Sequence, residues 1–121
     1  MAIAKLGTVV LDCPDPLALA EFYAALLGGT AALEEDGTWA DLAVPGGPAL
    51  AFQKASGHVP PRWPSAEGSQ QFHLDLTVEN LDAAEREAVA LGAKPLDPGP
   101  EGRTWRVFAD PAGHPFCLCA C

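Results

Sequence analysis

Positive charge is scarce in this chain. Seven Lys and Arg are scattered among 16 Asp and Glu, leaving a net charge of −9. No basic stripe exists for a phosphate backbone or an anionic membrane to meet, so neither nucleic acid nor membrane is an expected partner. The acidity reads first as solvation of the surface. No apolar run approaches the ~20 residues of a membrane span. Residues 1–6 lack a charged stretch leading into an apolar one, so no secretory leader is expected. Cysteine is confined to Cys13, Cys117, Cys119 and Cys121. The last three alternate along one C-terminal strand, where such neighbours stand at or beyond the ~7 Å limit for bridging. Reduced thiols in a cytoplasmic protein are therefore expected.

What is present suffices for a core. At 121 residues and 49% hydrophobic, the chain is the size of one ordinary domain and needs no staples. The clearest pattern lies in 71–78. Phe72, Leu74, Leu76 and Val78 point one way, and Gln71, His73, Asp75 and Thr77 the other. That period of two marks a strand with one buried face. A helix follows, capped by Asn80 and stopped by Gly92, with Leu81, Ala84, Ala88 and Leu91 as its apolar stripe. Residues 5–13 read as an earlier strand, with Val9, Leu11 and Cys13 on one side and Thr8, Val10 and Asp12 on the other. Asp15 then caps a helix with Pro16 in its first turn. Leu19, Phe22, Tyr23, Leu26 and Leu27 are its buried stripe, and Gly28 and Gly29 end it. Strands are predicted over 30–35, 38–44 and 49–54, and again around 94–96, 104–110 and 116–120. Residues 55–69, rich in Pro, Gly and Ser, read as a long irregular connection of the kind that often carries function.

The order strand, helix, strand, strand, strand thus occurs twice, and residues repeat with it. Thr8, Leu11, Cys13 and Asp15 match His73, Leu76, Val78 and Asn80 at an offset of 73 − 8 = 65. Gly28 matches Gly92, Thr38–Trp39 match Thr104–Trp105, and Pro45 and Gly47 match Pro111 and Gly113, all within one residue of that offset. Two copies argue against a solenoid. The expectation is an α+β fold. Two tandem βαβββ modules form a curved mixed sheet around a cleft, with the helices outside. Module 1 covers about 1–55, the connection about 55–69 and module 2 about 70–121, together one domain over 1–121. His73 and Thr8 are equivalent positions lining the cleft.

The chain resembles a known family through three stretches. These are Val10-Leu11-Asp12-Cys13-Pro14-Asp15 with Phe22-Tyr23, then Phe72-His73-Leu74-Asp75-Leu76-Thr77-Val78, then Phe108-Ala109-Asp110-Pro111-Ala112-Gly113-His114-Pro115-Phe116. It is similar to the vicinal oxygen chelate superfamily, which includes glyoxalase I, fosfomycin- and bleomycin-resistance proteins and extradiol dioxygenases. Within it, the small glyoxalase-like domain proteins are the nearest match. That scaffold hosts many chemistries, so the resemblance speaks to fold more than to activity. It implies metal ligands from the first and last strands of each module. His73 stands at one such position, Thr8 at its mate and Cys117 where the family usually has Glu; at the fourth the face shows Ala51 and Gln53, with the register open by one pleat and Gln53 able to serve. The set holds no carboxylate, which disfavours Mg²⁺ and Mn²⁺. A thiolate and an imidazole would suit Zn²⁺ or another divalent ion, with Asp75 as a replacement ligand. No cofactor is the favoured expectation.

Two functional expectations follow. In the first, the protein binds a flat, partly apolar small molecule without turning it over, as resistance-type members do. In the second, it is a lyase, isomerase or epimerase of the glyoxalase type. That enzyme would work through a metal on His73, Gln53 and Cys117, or without metal through His73 oriented by Asp75. Candidate ligand contacts are Thr8, Val10, Gln53, Arg62, Trp63, Arg106 and Cys117. Trp63 lies in a proline-stiffened stretch and is placed to close over a ligand, and Arg106 to hold an anionic group. A second copy of the chain is an expected partner.

Overall fold

A computed structural model describes residues 2–63, 67–68 and 72–121. Residues 64–66 of the connection, and Gln71 of the predicted strand, lie outside the described residues. The chain divides into two compact units, Met1–His58 and Val59–Cys121.

The first unit runs β1 (Thr8–Cys13), α1 (Pro16–Leu27), β2 (Ala31–Leu33), β3 (Trp39–Leu42) and β4 (Ala49–Lys54). Its sheet has the order β1-β4-β3-β2, with β1 and β4 parallel and the other pairs antiparallel. Asp15 caps α1 by accepting from the Ala18 N–H at 3.2 Å. The helix packs on the face formed by alternate residues of β1, β3 and β4. Leu19, Phe22 and Tyr23 meet Cys13, Ala40, Leu42, Leu50 and Phe52 there, all buried. Tyr23 stacks on Phe52 at 5.7 Å between ring centroids. Leu26 and Leu27 are only half-buried. At the end of α1, Gly29 has φ +92°, and a side chain there would run into the Ala43 carbonyl.

The second unit repeats the plan. It runs β5 (Leu74–Thr77), α2 (Leu81–Leu91), β6 (Lys94–Asp97), β7 (Trp105–Ala109) and β8 (Pro115–Cys119). The sheet order is β5-β8-β7-β6. Asn80 caps α2 through Ala83 N–H at 2.9 Å, and Gly92 closes it in a left-handed conformation. Helix α2 packs toward β8. Ala88 of α2 is buried, as are Phe108, Phe116 and Leu118 of the sheet, with Phe108 stacked on Phe116. Two expectations change here. Leu91, the last residue of α2, is 43% exposed rather than part of the buried stripe, and Ala88 is the buried residue of that helix. The predicted strand over 71–78 is shorter, with β5 starting at Leu74 and leaving Phe72 exposed.

The expectation of four reduced thiols is also corrected. Cys119 and Cys121 are joined as a disulfide, with Cα atoms 5.3 Å apart. β8 ends at Cys119, so the last two residues leave the extended path that would hold the pair too far apart. Cys13 and Cys117 are buried and outside any disulfide.

Candidate functional site

Strand register decides which side chains share a face. In the second sheet Asp75 pairs with Cys117, Cys117 with Val107, and Val107 with Asp97. These residues form one row across the face that α2 does not cover, since paired residues point the same way. His73 stands two residues before Asp75 and shares that face. The other face carries Leu74, Leu76, Phe116, Leu118 and Arg106, toward the helix.

On the helix-free face three donors converge. An imidazole nitrogen of His73, a carboxylate oxygen of Asp75 and the Sγ of Cys117 lie within 4.8 Å of one another. His73 Nε2 and Asp75 Oδ1 are 3.1 Å apart. The carboxylate thereby orients the ring and sets which nitrogen carries the proton. Asp75 is exposed, His73 is partly covered and Cys117 is buried at 3%. Burial pushes the Cys117 thiol up to about 11, and the charge and hydrogen bond of Asp75 add to the rise. At neutral pH this sulfur carries its proton, so by itself it is a poor nucleophile.

Trp63 covers His73 from the side. Their ring centroids are 5.5 Å apart and the planes meet at 72°. The expectation of a loop tryptophan over the site thus has a partner, His73. Its position is prepared by Gly113, at φ +91°, where a Cβ would collide with Pro60. The bare backbone lets Pro60 seat against the turn and carry the chain on to Trp63. Arg62, next to it, is exposed. The turn itself is tied by Asp110, 4% exposed, whose Oδ1 accepts from Ala112 N–H at 2.9 Å and His114 N–H at 3.0 Å.

Further along the face, Arg103 lies over the Trp105 ring at 3.7 Å. It donates to the Asp97 carboxylate at 3.4 Å and to the Trp105 carbonyl at 2.8 Å. Neither Arg103 nor Asp97 is legible as a site residue from sequence. A register shift between Pro95 and Asp97 turns Asp97 into the row, and irregularities of that kind leave no period to read.

Arg106 is placed otherwise than expected. It donates to Asp82 at 2.9 Å and to Glu85 at 3.1 Å, both on α2, so its charge faces the helix and not the ligand side. Its neighbours in sequence point oppositely, as strand alternation requires.

In the first unit the ligand positions are poorly furnished. Thr8 pairs with Ala49, Val10 with Ala51 and Asp12 with Gln53. Cys117, paired with Asp75, therefore corresponds to Ala51, paired with Val10. Gln53 lies one pleat beyond. Thr8 and Gln53 are four residues apart in register, roughly 13 Å along the strand. Side chains that far apart along one sheet do not meet at a common point, so Ala51 and not Gln53 is the register mate of Cys117. The sequence anchors gave the repeat but left the pleat open.

Residues 8–119 match the family described as the glyoxalase-like domain. No curated protein matches. Among solved structures, a glyoxalase/bleomycin resistance protein/dioxygenase family enzyme from Burkholderia phytofirmans is similar at 18% identity. The match covers 95% of this chain and 97% of that one, with a TM-score of 0.73. A protein from Agrobacterium tumefaciens is 24% identical over 98% of each chain, TM-score 0.70. The fosfomycin resistance protein FosX of Listeria monocytogenes, complexed with Mn(II) and dihydroxypropylphosphonic acid, is 16% identical. It matches over 99% of this chain and 91% of its own, TM-score 0.69. With two four-stranded βαβββ sheets and a family match over nearly its whole length, the chain belongs to the glyoxalase-like domain family of the vicinal oxygen chelate superfamily.

Proposed function

We propose that this protein binds a small molecule against the helix-free face of its second sheet, beside Trp63 and over the His73–Asp75 pair. The observation that carries the reading is the Trp63–His73 contact, with His73 held by Asp75. A rigid aromatic wall next to a few convergent polar groups is how proteins hold partly apolar ligands in one orientation. The FosX neighbour, which holds an organic phosphonate, supports a ligand of small size. Trp63 supplies the flat apolar contact and His73 a directed hydrogen bond.

Tryptophan fluorescence tests this with a panel of flat heteroaromatic compounds and small oxygenated acids. At least one class should quench emission saturably, and Trp63→Ala and His73→Ala should each weaken it about tenfold or more. No quenching by any class, or quenching unaffected by both substitutions, overturns the reading.

The His73–Asp75 pair favours a second reading, in which a protein of the glyoxalase type uses His73 for proton transfer. Solvent deuterium exchange at a carbon next to a carbonyl in the bound compound, lost in His73→Ala, would support it. Binding with no exchange would return the protein to the sequestration reading.

A further inference from the structure

We propose that Cys119 and Cys121 form a reversible redox site, a C-x-C pair that exchanges with low-molecular-weight thiols and their disulfides. The first support is that the fold does not need the bridge. The Ala120 N–H donates to the Thr104 carbonyl at 2.8 Å and closes the end of β8 against the start of β7. The first unit makes the same bond, from the Lys54 N–H to the Thr38 carbonyl at 2.8 Å. There Gln53, paired with Asp12, is the mate of Cys119, paired with Thr77. Two residues on, Ala55 stands where the second unit has Cys121. One strand end is thus held by hydrogen bonding alone, and its twin carries a covalent link besides. That link spans a single residue. Stabilisation by restricting the unfolded chain grows with the loop closed, so this loop contributes little.

The second support is access. Cys121 is exposed and Cys119 half-buried, whereas Cys13 and Cys117 are buried. A small thiolate can therefore reach the Cys121 sulfur and neither of the other two. Exposed disulfides are the labile ones, and sheltered ones resist reduction. Cys117 lies two residues before Cys119 on β8, at or beyond the roughly 7 Å limit for bridging, so it does not take over the bond. The exchange is confined to one pair.

The chemistry is thiol–disulfide exchange in two steps. A small thiolate attacks the Cys121 sulfur, the bond between the two cysteines breaks, and the Cys119 sulfur leaves as a thiolate that takes up a proton. A second small thiolate attacks the small-molecule sulfur of that mixed disulfide and releases Cys121, which is protonated in turn. The protein gains two electrons and two protons, and two small thiols are oxidised to their disulfide. The reverse sequence closes the pair again. This goes beyond the small-molecule reading and stands without it, because the exchange uses neither His73 nor Trp63.

The test equilibrates the full chain in buffers of reduced and oxidised glutathione, quenches with acid, and counts thiols by alkylation under denaturing conditions and mass spectrometry. The count should pass from the two of Cys13 and Cys117 to all four across the series, with circular dichroism unchanged. In the reduced native protein iodoacetamide should label Cys119 and Cys121 at least about tenfold faster than the other two. Cys119→Ser removes the thiol that resolves the mixed disulfide, so oxidised glutathione should leave one adduct, on Cys121. Cys121→Ser should abolish the transition, and it changes an exposed residue, so the variant folds. Reduction should alter the unfolding equilibrium constant by less than the roughly thirtyfold at the low end of what disulfides contribute. A pair that stays fully oxidised or fully reduced across the series overturns the proposal. So does reduction that requires unfolding, a larger change in the unfolding constant, or labelling and adducts that fall equally on Cys13 or Cys117.

Discussion

Cys117 shows how one side chain's surroundings set its chemistry. Burial and Asp75 raise its pKa to about 11 from an ordinary 9.0. The folded state keeps the proton between those values while the unfolded chain releases it. Stability is therefore present below pH 9 and falls as pH rises from 9 toward 11. Urea unfolding of metal-free protein across that window should show the fall, and Cys117→Ala should flatten it. A slope unchanged by the substitution would remove Cys117 as its source. Asp110 is the other residue whose role is local and strong. Its buried carboxylate satisfies two backbone N–H groups of the turn before β8. Asp110→Ala should cost about 1–3 kcal/mol by leaving them unpaired, measured by denaturant midpoint. Sequence patterning placed His73 and Asp75 on one face with no help from the fold, because a strand's period is local. It could not decide between Ala51 and Gln53, because that choice depends on pairing with a distant strand.

At the scale of elements, the turn at Gly113 and the segment from Val59 to Trp63 act together. Gly113→Ala faces both a positive φ and the Pro60 ring. It should destabilise by about 1–2 kcal/mol from backbone conformation alone. It should also shift tryptophan emission as Trp63 is displaced from His73. A loss of stability with unchanged emission would uncouple the turn from the loop. β7 makes the contrasting case. Its alternation sends Arg106 to Asp82 and Glu85 on α2, and sends Val107 to the site row. Arg106→Ala should leave ligand affinity unchanged in the fluorescence titration above. A tenfold change would mean that the guanidinium works on the other face.

At the scale of the molecule, each unit carries its own sheet, its own helix and its own aromatic stack. Hydrogen exchange should accordingly find two clusters of slow amides, centred on β4 with β3 and on β8 with β7, the strands paired on both sides. A single cluster confined to one unit would show that the other has little core stability of its own. The net charge of −9 belongs to this scale too. Self-repulsion lowers stability at low ionic strength, so modest salt should raise the unfolding temperature.

The sequence alone determined the number, order and type of the elements, the two helix caps, the repeat and the face that carries His73 and Asp75. All of these rest on local signals: a period of two or 3.6, a capping side chain, a glycine stop. Tertiary structure alone decided which distant residues joined that face. Strand pairing brought Cys117 beside Asp75 and left Ala51 in the matching place. A register shift turned Asp97 into the row, and the bare backbone of Gly113 let Pro60 deliver Trp63 to His73. Each of those contacts joins residues far apart along the chain, and no periodicity in a linear sequence encodes a distance across a sheet.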